Sequence, residues 1–275
     1  MEKKFKNNKT IGNVIQISLT FIIPCVIMFV FGMLPNFELE NGAEFLLKGI
    51  IIPILLFYLS YIISIILHEL GHLIMGIQNR GSLIEYNFLI FSVCKDNNKI
   101  KFKYKGLTSG IGGMCSMNFP RDLKLLEYQK FCISGPCVNF ILVGLFLLIM
   151  IFSLNNSILL LISLYMIIMN LGFGISNLIP FETITGMETD GMKLYRMKNE
   201  KNYIDNLNKT FKIQEFLKKG GEFKNIPNDL VYKPEHIGNK SDMEMMIYYI
   251  SKITEQKEFE KAKTLIDQCL NNQPK

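Results

Sequence analysis

Two of the three histidines in the chain fall in one pentapeptide, His68-Glu69-Leu70-Gly71-His72. On a helix, positions four apart share a face, so His68 and His72 can offer imidazole nitrogens to a single ion while Glu69 points about 100° round. That is the geometry of metal-assisted hydrolysis. Zinc lowers the pKa of its water to roughly 7, and a carboxylate alongside can take the proton and later deliver it to a leaving amine. Gly71, beside the second histidine, leaves room for another helix or a substrate backbone to come close.

The surroundings of the pentapeptide separate a site from a chance match. Hydrophobic residues make up 49% of the 275 positions, with 21 Phe and no Trp; this is the composition of a membrane-embedded chain. Residues 10–37 and 131–181 hold no charged side chain, and between Gly49 and Ile77 the only one is Glu69. The pattern predicts an all-α polytopic membrane protein with four spans near 11–34, 47–77, 131–154 and 157–180, the last two joined by a turn at Asn155 and Asn156. The first reads as an uncleaved anchor, since no small-x-small cleavage site follows it. An ionisable triplet on a spanning helix costs about a few kcal/mol, so it is expected to face a partner or an ion. About 28 Å of uncharged helix precedes His68, which places it near one boundary of a hydrocarbon core roughly 30 Å thick.

Orientation follows from the basic residues. Lys3, Lys4, Lys6 and Lys9 precede the first span; most of the rest lie in 78–130 and from Lys193 onward; the loop "NFELENGAE" is acidic. Both termini and the 78–130 segment are therefore expected in the cytoplasm of a multi-pass cell-membrane protein. The net charge of +6 then reports topology and anionic-lipid contact, and nucleic acid is set aside. The six cysteines form no C-x-x-C pair and read as free thiols.

Two histidines do not complete a catalytic zinc site. His236, the third, lies in the polar "YKPEHIGNK", where a solvated loop residue is expected. A carboxylate is needed, and after the fourth span "NLIPFETITGMETDGMKLY" supplies Glu182, Glu188 and Asp190. Gly191 would let the backbone at Asp190 approach another element.

Taken together, "HELGH" in a span, "GPCVN" (Gly135 to Asn139) in a later one, and Asn177-x-x-Pro180 followed by Asp190-Gly191 resemble the site-2 proteases, intramembrane zinc metalloproteases. The likeness covers roughly residues 45–195. It implies that His68, His72 and Asp190 bind Zn²⁺, that Glu69 is the general base, and that Asn139 and Asn177 hold substrate or shape the site. One departure stands out. In the family the Asp follows Asn-x-x-Pro closely, whereas here thirteen positions separate Asn177 from Asp190, and the extra "ETITGME" carries Glu182 and Glu188 as rival third ligands.

Between the second and third spans, "SLIEYNFLIFSVC" and "IKFKYKG" around "KDNNK" predict a small membrane-surface β-hairpin over 82–105, apolar on one face and basic on the other, whose edge could clamp an extended substrate. "TSGIGGM" lacks the Lys-Ser/Thr of a phosphate loop and reads as a flexible loop near the site. From 199 to 275 the chain turns polar, and the segment from 241 to 270 predicts an αα-hairpin with Ser241 or Asp242 as N-cap. The organisation expected is thus a transmembrane protease core, 1–198, and a cytoplasmic helical tail, 199–275, able to dock or to recruit a cytoplasmic partner. The function expected is cleavage of a membrane-bound or membrane-associated protein or peptide near the cytoplasmic face. Two alternatives carry the same motif: a prenyl-peptide-class metalloprotease, which uses a Glu third ligand and many more spans, and a non-catalytic membrane binding or immunity protein with a structural zinc site.

Overall fold

The structure, a computed structural model, describes residues 50–96, 99–105, 112–182, 186–235, 237 and 239–271, together with the isolated positions Val14, Ser18 and Leu47. The first expected span, the loop after it and His236 lie outside the described residues apart from those isolated positions.

Among the described residues, three helices are long and apolar enough to cross a membrane. Helix α1, Ile52–Gln78, opens with Pro53 in its first turn, where the missing N–H costs nothing. It stops where Arg80 takes a positive φ of 62° and Gly81 N–H returns to the Gly76 carbonyl. Helix α2, Leu125–Phe152, starts six residues before the expected 131. The reason is local: the Glu127 carboxylate accepts from the Lys124 N–H and is gripped by Arg121 at 2.6 and 2.9 Å, so a charged first turn is stable ahead of the apolar run. Helix α3, Ser157–Leu178, is capped by Asn156, whose side chain accepts from the Leu159 N–H. The Asn-Asn turn therefore acts as expected. Outward faces of the three helices show Leu55, Tyr58, Ile141, Leu148 and Ile158 uncovered, which suits lipid and not water.

Four strands follow α1: β1 Ser82–Phe88, β2 Phe91–Asp96, β3 Lys99–Tyr104 and β4 Gly113–Asn118, in the antiparallel order β3-β2-β1-β4. The expected two-stranded hairpin is thus a four-stranded sheet. Its long first segment is cut in two at Leu89, which turns with φ 53°, and of the glycine segment expected as a loop, Gly113 and Met114 belong to β4 while 108–111 lie outside the described residues. Gly-Met-Cys-Ser-Met-Asn has little intrinsic strand preference. Pairing with β1, from Ser82 opposite Asn118 to Phe88 opposite Gly113, imposes the extended form.

The sheet lies along α1. Tyr86 donates its hydroxyl to the Ile66 carbonyl at 2.5 Å, and the β4 end of the sheet reaches Tyr61 and Ile65 at Gly112 and Gly76 at Met117. At its far edge Ile100, Phe102 and Tyr104 are 79, 63 and 68% exposed, and Phe102 stacks within 5.2 Å of Phe91. The alternation of apolar and lysine side chains read from the sequence is that of a real strand.

Beyond α3 come α4 Asp190–Asn199, α5 Tyr203–Lys218, a short 3-10 turn Phe223–Asn225, α6 Lys240–Glu255 and α7 Phe259–Asn271. The α6–α7 pair is the expected hairpin, but its cap is Asn239, whose side chain accepts from the Asp242 N–H at 2.8 Å. Ser241 is not free to cap: it is buried and accepts from Asn206 Nδ2. Ile213, Ile226, Val231 and Met245 form a core of their own, with the buried Lys252 ammonium held by the Ile226 carbonyl and Asn228. This module joins the rest of the chain through paired hydrogen bonds between Asn208 and the Leu123 backbone and the Phe119–Phe211 contact. Cys94, Cys115, Cys132, Cys137 and Cys269 are free.

Candidate metal centre

His68 and His72 sit on the buried face of α1, and Asp190 opens α4, where Thr189 caps the helix by accepting from the Met192 N–H. Their ligand atoms converge. Nε2 of His68 and Nε2 of His72 are 3.2 Å apart, and Asp190 Oδ2 lies 3.3 and 3.1 Å from them. Bonds of about 2.0–2.1 Å in a tetrahedral shell put neighbouring ligand atoms about 3.3–3.4 Å apart. The triangle has that size, and all three residues are buried.

Proton bookkeeping strengthens the case. His72 Nδ1 lies 2.7 Å from the Phe131 carbonyl, which can only accept, so this nitrogen carries the proton. His68 Nδ1 lies 2.5 Å from Asn139 Oδ1. The direction of that bond is set further off: Asn170 Nδ2 donates to the Met166 carbonyl, Asn170 Oδ1 accepts from Asn139 Nδ2 at 2.7 Å, and Asn139 must therefore present its oxygen to His68. With both protons on Nδ1, two imidazole lone pairs and a carboxylate oxygen point at one another with no donor among them. Such a set is repulsive unless a cation sits within it.

Glycines clear the space. A Cβ on Gly135 of α2 would overlap Nε2 of both histidines, and one on Gly71 would lie 2.6 Å from the Ser134 carbonyl, so α1 and α2 touch at the site. A Cβ on Gly191 would collide with the Leu178 carbonyl; the Asp-Gly pair lets α4 start against the end of α3. The approach expected for Gly191 is present.

Glu69 is buried and turns away from Gly135 toward the sheet, where a Cβ on Gly113 would lie 2.7 Å from its Oε1. Asp190 Oδ1, the oxygen not facing the histidines, is 3.2 Å from Lys193 Nζ. Burial works against the charged form of the Asp190 carboxyl, and the Lys193 ammonium beside it favours that form. Burial likewise works against the Lys193 ammonium, and the Asp190 carboxylate more than offsets it, raising its pKa.

Of the rival carboxylates, Glu182 and Glu188 form an isolated β-bridge with each other and are taken up by Arg196, at 2.9 and 3.1 Å, with Glu200 as a third partner at 3.2 Å. Glu182 and Glu188 are thus neutralised by Arg196, and Asp190 is the carboxylate that meets the histidines. Asn139 is placed behind His68 and not in an open cleft. Asn177 donates to the Phe173 carbonyl one turn back. Asn170 and Lys193 were not among the residues singled out above. Asn170 had no sequence signal beyond being a polar residue in an apolar span, and Lys193 stands one helical turn from Asp190.

Compared with family models, curated proteins and solved structures, the chain matches none of them. The resemblance to site-2 proteases therefore rests on the sequence motifs alone. What stands plainly, among the described residues, is a largely helical protein with three candidate membrane-crossing helices, a small antiparallel sheet and a buried His-His-Asp group that could bind a metal ion.

Proposed function

We propose that the protein is an intramembrane zinc endopeptidase of the site-2 protease kind, cutting a membrane-bound or membrane-associated protein or peptide near the cytoplasmic face. The observation that carries the reading is the donor-free triangle of His68 Nε2, His72 Nε2 and Asp190 Oδ2 with a buried carboxylate, Glu69, one residue along the same helix. His68, His72 and Asp190 would hold the ion. Zinc bound there supplies Lewis-acid activation of water and of a peptide carbonyl. Glu69 accepts the proton of the attacking water at a carboxylate oxygen and passes it to the departing amine. Asn139 and the Phe131 carbonyl keep both imidazoles in the tautomer that presents Nε2.

A helical peptide bond is shielded by its own hydrogen bonds, so a substrate must be extended to be cut. The strand nearest Glu69 is β4, an edge of the sheet, and an unwound substrate adds to it as a fifth strand. The clamp assigned to the 82–105 ribbon moves accordingly to residues 113–118, because the ribbon's own free edge, β3, is the edge of the sheet opposite β4 and the Glu69 that Gly113 abuts.

Glu69→Gln tests the reading. Membranes holding the wild-type protein are expected to yield new peptide termini, seen by mass spectrometry, that the variant does not produce while it keeps its zinc. A purely structural zinc staple would show no difference between the two.

A further inference from the structure

Beside the open edge of β4 runs a cleft of about 330 Å³, at the small end of the roughly 300–1,000 Å³ typical of ligand pockets. One wall is β4 itself, Met114 to Met117; the other is built by α4, α5 and α6. It adjoins the metal centre at three points. Met114 follows Gly113, which abuts Glu69; Phe131, in its lining, holds His72 through its carbonyl; Lys193, also in its lining, touches Asp190.

The floor is apolar: Met117, Phe119, Tyr128, Phe131 and Phe211. The rim is charged, but its cations are already engaged. Arg196 is shared among Glu182, Glu188 and Glu200, and Lys240 lies 3.2 Å from both Glu188 Oε1 and the Gly186 carbonyl. A charged side chain entering the cleft would exchange water for groups that are neutralised, whereas an apolar one would bury its surface on rings and thioethers. Ser241 and Glu244, from the first turns of α6, close the outer side.

We infer that this cleft is a substrate subsite: it takes a bulky apolar side chain, aromatic or long aliphatic, from the extended peptide next to the bond cleaved at the metal, and the C-terminal module is the wall that selects it. The inference rests on the peptidase reading above and deepens it. The module is then part of the specificity of the enzyme and not only a docking appendage.

The test uses the full-length, zinc-loaded protein in detergent and a series of short peptide hydroxamates, identical except for one side chain, Gly, Asp, Lys, Leu or Phe, on the residue next to the metal-binding group. Affinity is read by calorimetry, so no turnover is needed. Leu and Phe probes are expected to bind at least about ten-fold tighter than the Gly probe. Ser241→Phe, which fills the cleft, and Glu244→Trp, which covers it from an exposed position, are both expected to erase that preference and leave the Gly probe unchanged. Equal affinity across the series, or a preference indifferent to Glu244→Trp, overturns the subsite while the metal centre stands. Failure of every hydroxamate to bind the zinc-loaded protein overturns the peptidase reading itself, and the subsite with it.

Discussion

Asn170 Oδ1 accepts a hydrogen bond from Asn139 Nδ2 at 2.7 Å, and through it a residue on α3 sets which nitrogen of His68, on α1, is left to bind a metal. The chain of amides runs from the Met166 carbonyl to the imidazole without a break. Removing its middle is expected to matter most. Asn139→Ala leaves the His68 Nδ1–H without its acceptor and should lower zinc affinity about 10–100-fold, measured by competition with a chromogenic chelator. Asn170→Ala keeps the direct bond and should cost less. Equal affinity in all three proteins would remove the relay.

Gly135→Ala separates packing from helix preference. Alanine favours a helix over glycine by about 0.8–1.0 kcal/mol in solution, so a merely structural Gly135 would tolerate it. Because the added methyl meets both Nε2 atoms, zinc content measured by atomic absorption should fall sharply.

Asp190→Ala is expected to lose the metal and Glu188→Ala to retain it. Glu188 instead answers Arg196, whose side chain is only 5% exposed. Arg196→Leu strands three carboxylates together and should destabilise by about 3–5 kcal/mol, seen as a lower Tm, whereas Glu188→Ala leaves the arginine two partners and should cost less. Full zinc in Asp190→Ala with none in Glu188→Ala would reverse the ligand assignment.

The edge strand offers a positional test. Alternate residues of an antiparallel strand direct their N–H groups to opposite sides, so of Met114→Pro and Cys115→Pro one removes a donor from the open edge and the other from the β1 ladder. The open-edge proline is expected to abolish cleavage with zinc and folding intact. Phe102→Pro removes an N–H from the far open edge of β3, since the alternate residues Lys103 and Lys105 face β2, and should leave cleavage unchanged. If only the β3 variant were inactive, the clamp would belong to the ribbon first expected.

Much of the centre was legible because it is local. His68 and His72 share a helix face by spacing alone, and the charge-free runs that become α1, α2 and α3 need no tertiary information. The α6–α7 hairpin was legible for the same reason, its apolar spacing being a property of consecutive residues. The sheet was not: β4 is glycine- and methionine-rich, and its extended form comes from β1, some thirty residues away in sequence. The cap at Asn239 was missed because Asn206, on another helix, holds Ser241.

The amino-acid order alone thus determined the helices long and apolar enough to cross a membrane, the histidine pair and the acid beside it, since helical periodicity and hydropathy act over a few turns. The tertiary structure tied Glu182 and Glu188 to Arg196, leaving the Asp190 that the motif already favoured to meet the histidines, and it alone recruited Asn170 and Lys193. Those choices depend on which groups are already neutralised or hydrogen-bonded by distant parts of the chain, and charge and proton accounting close only once the helices are packed.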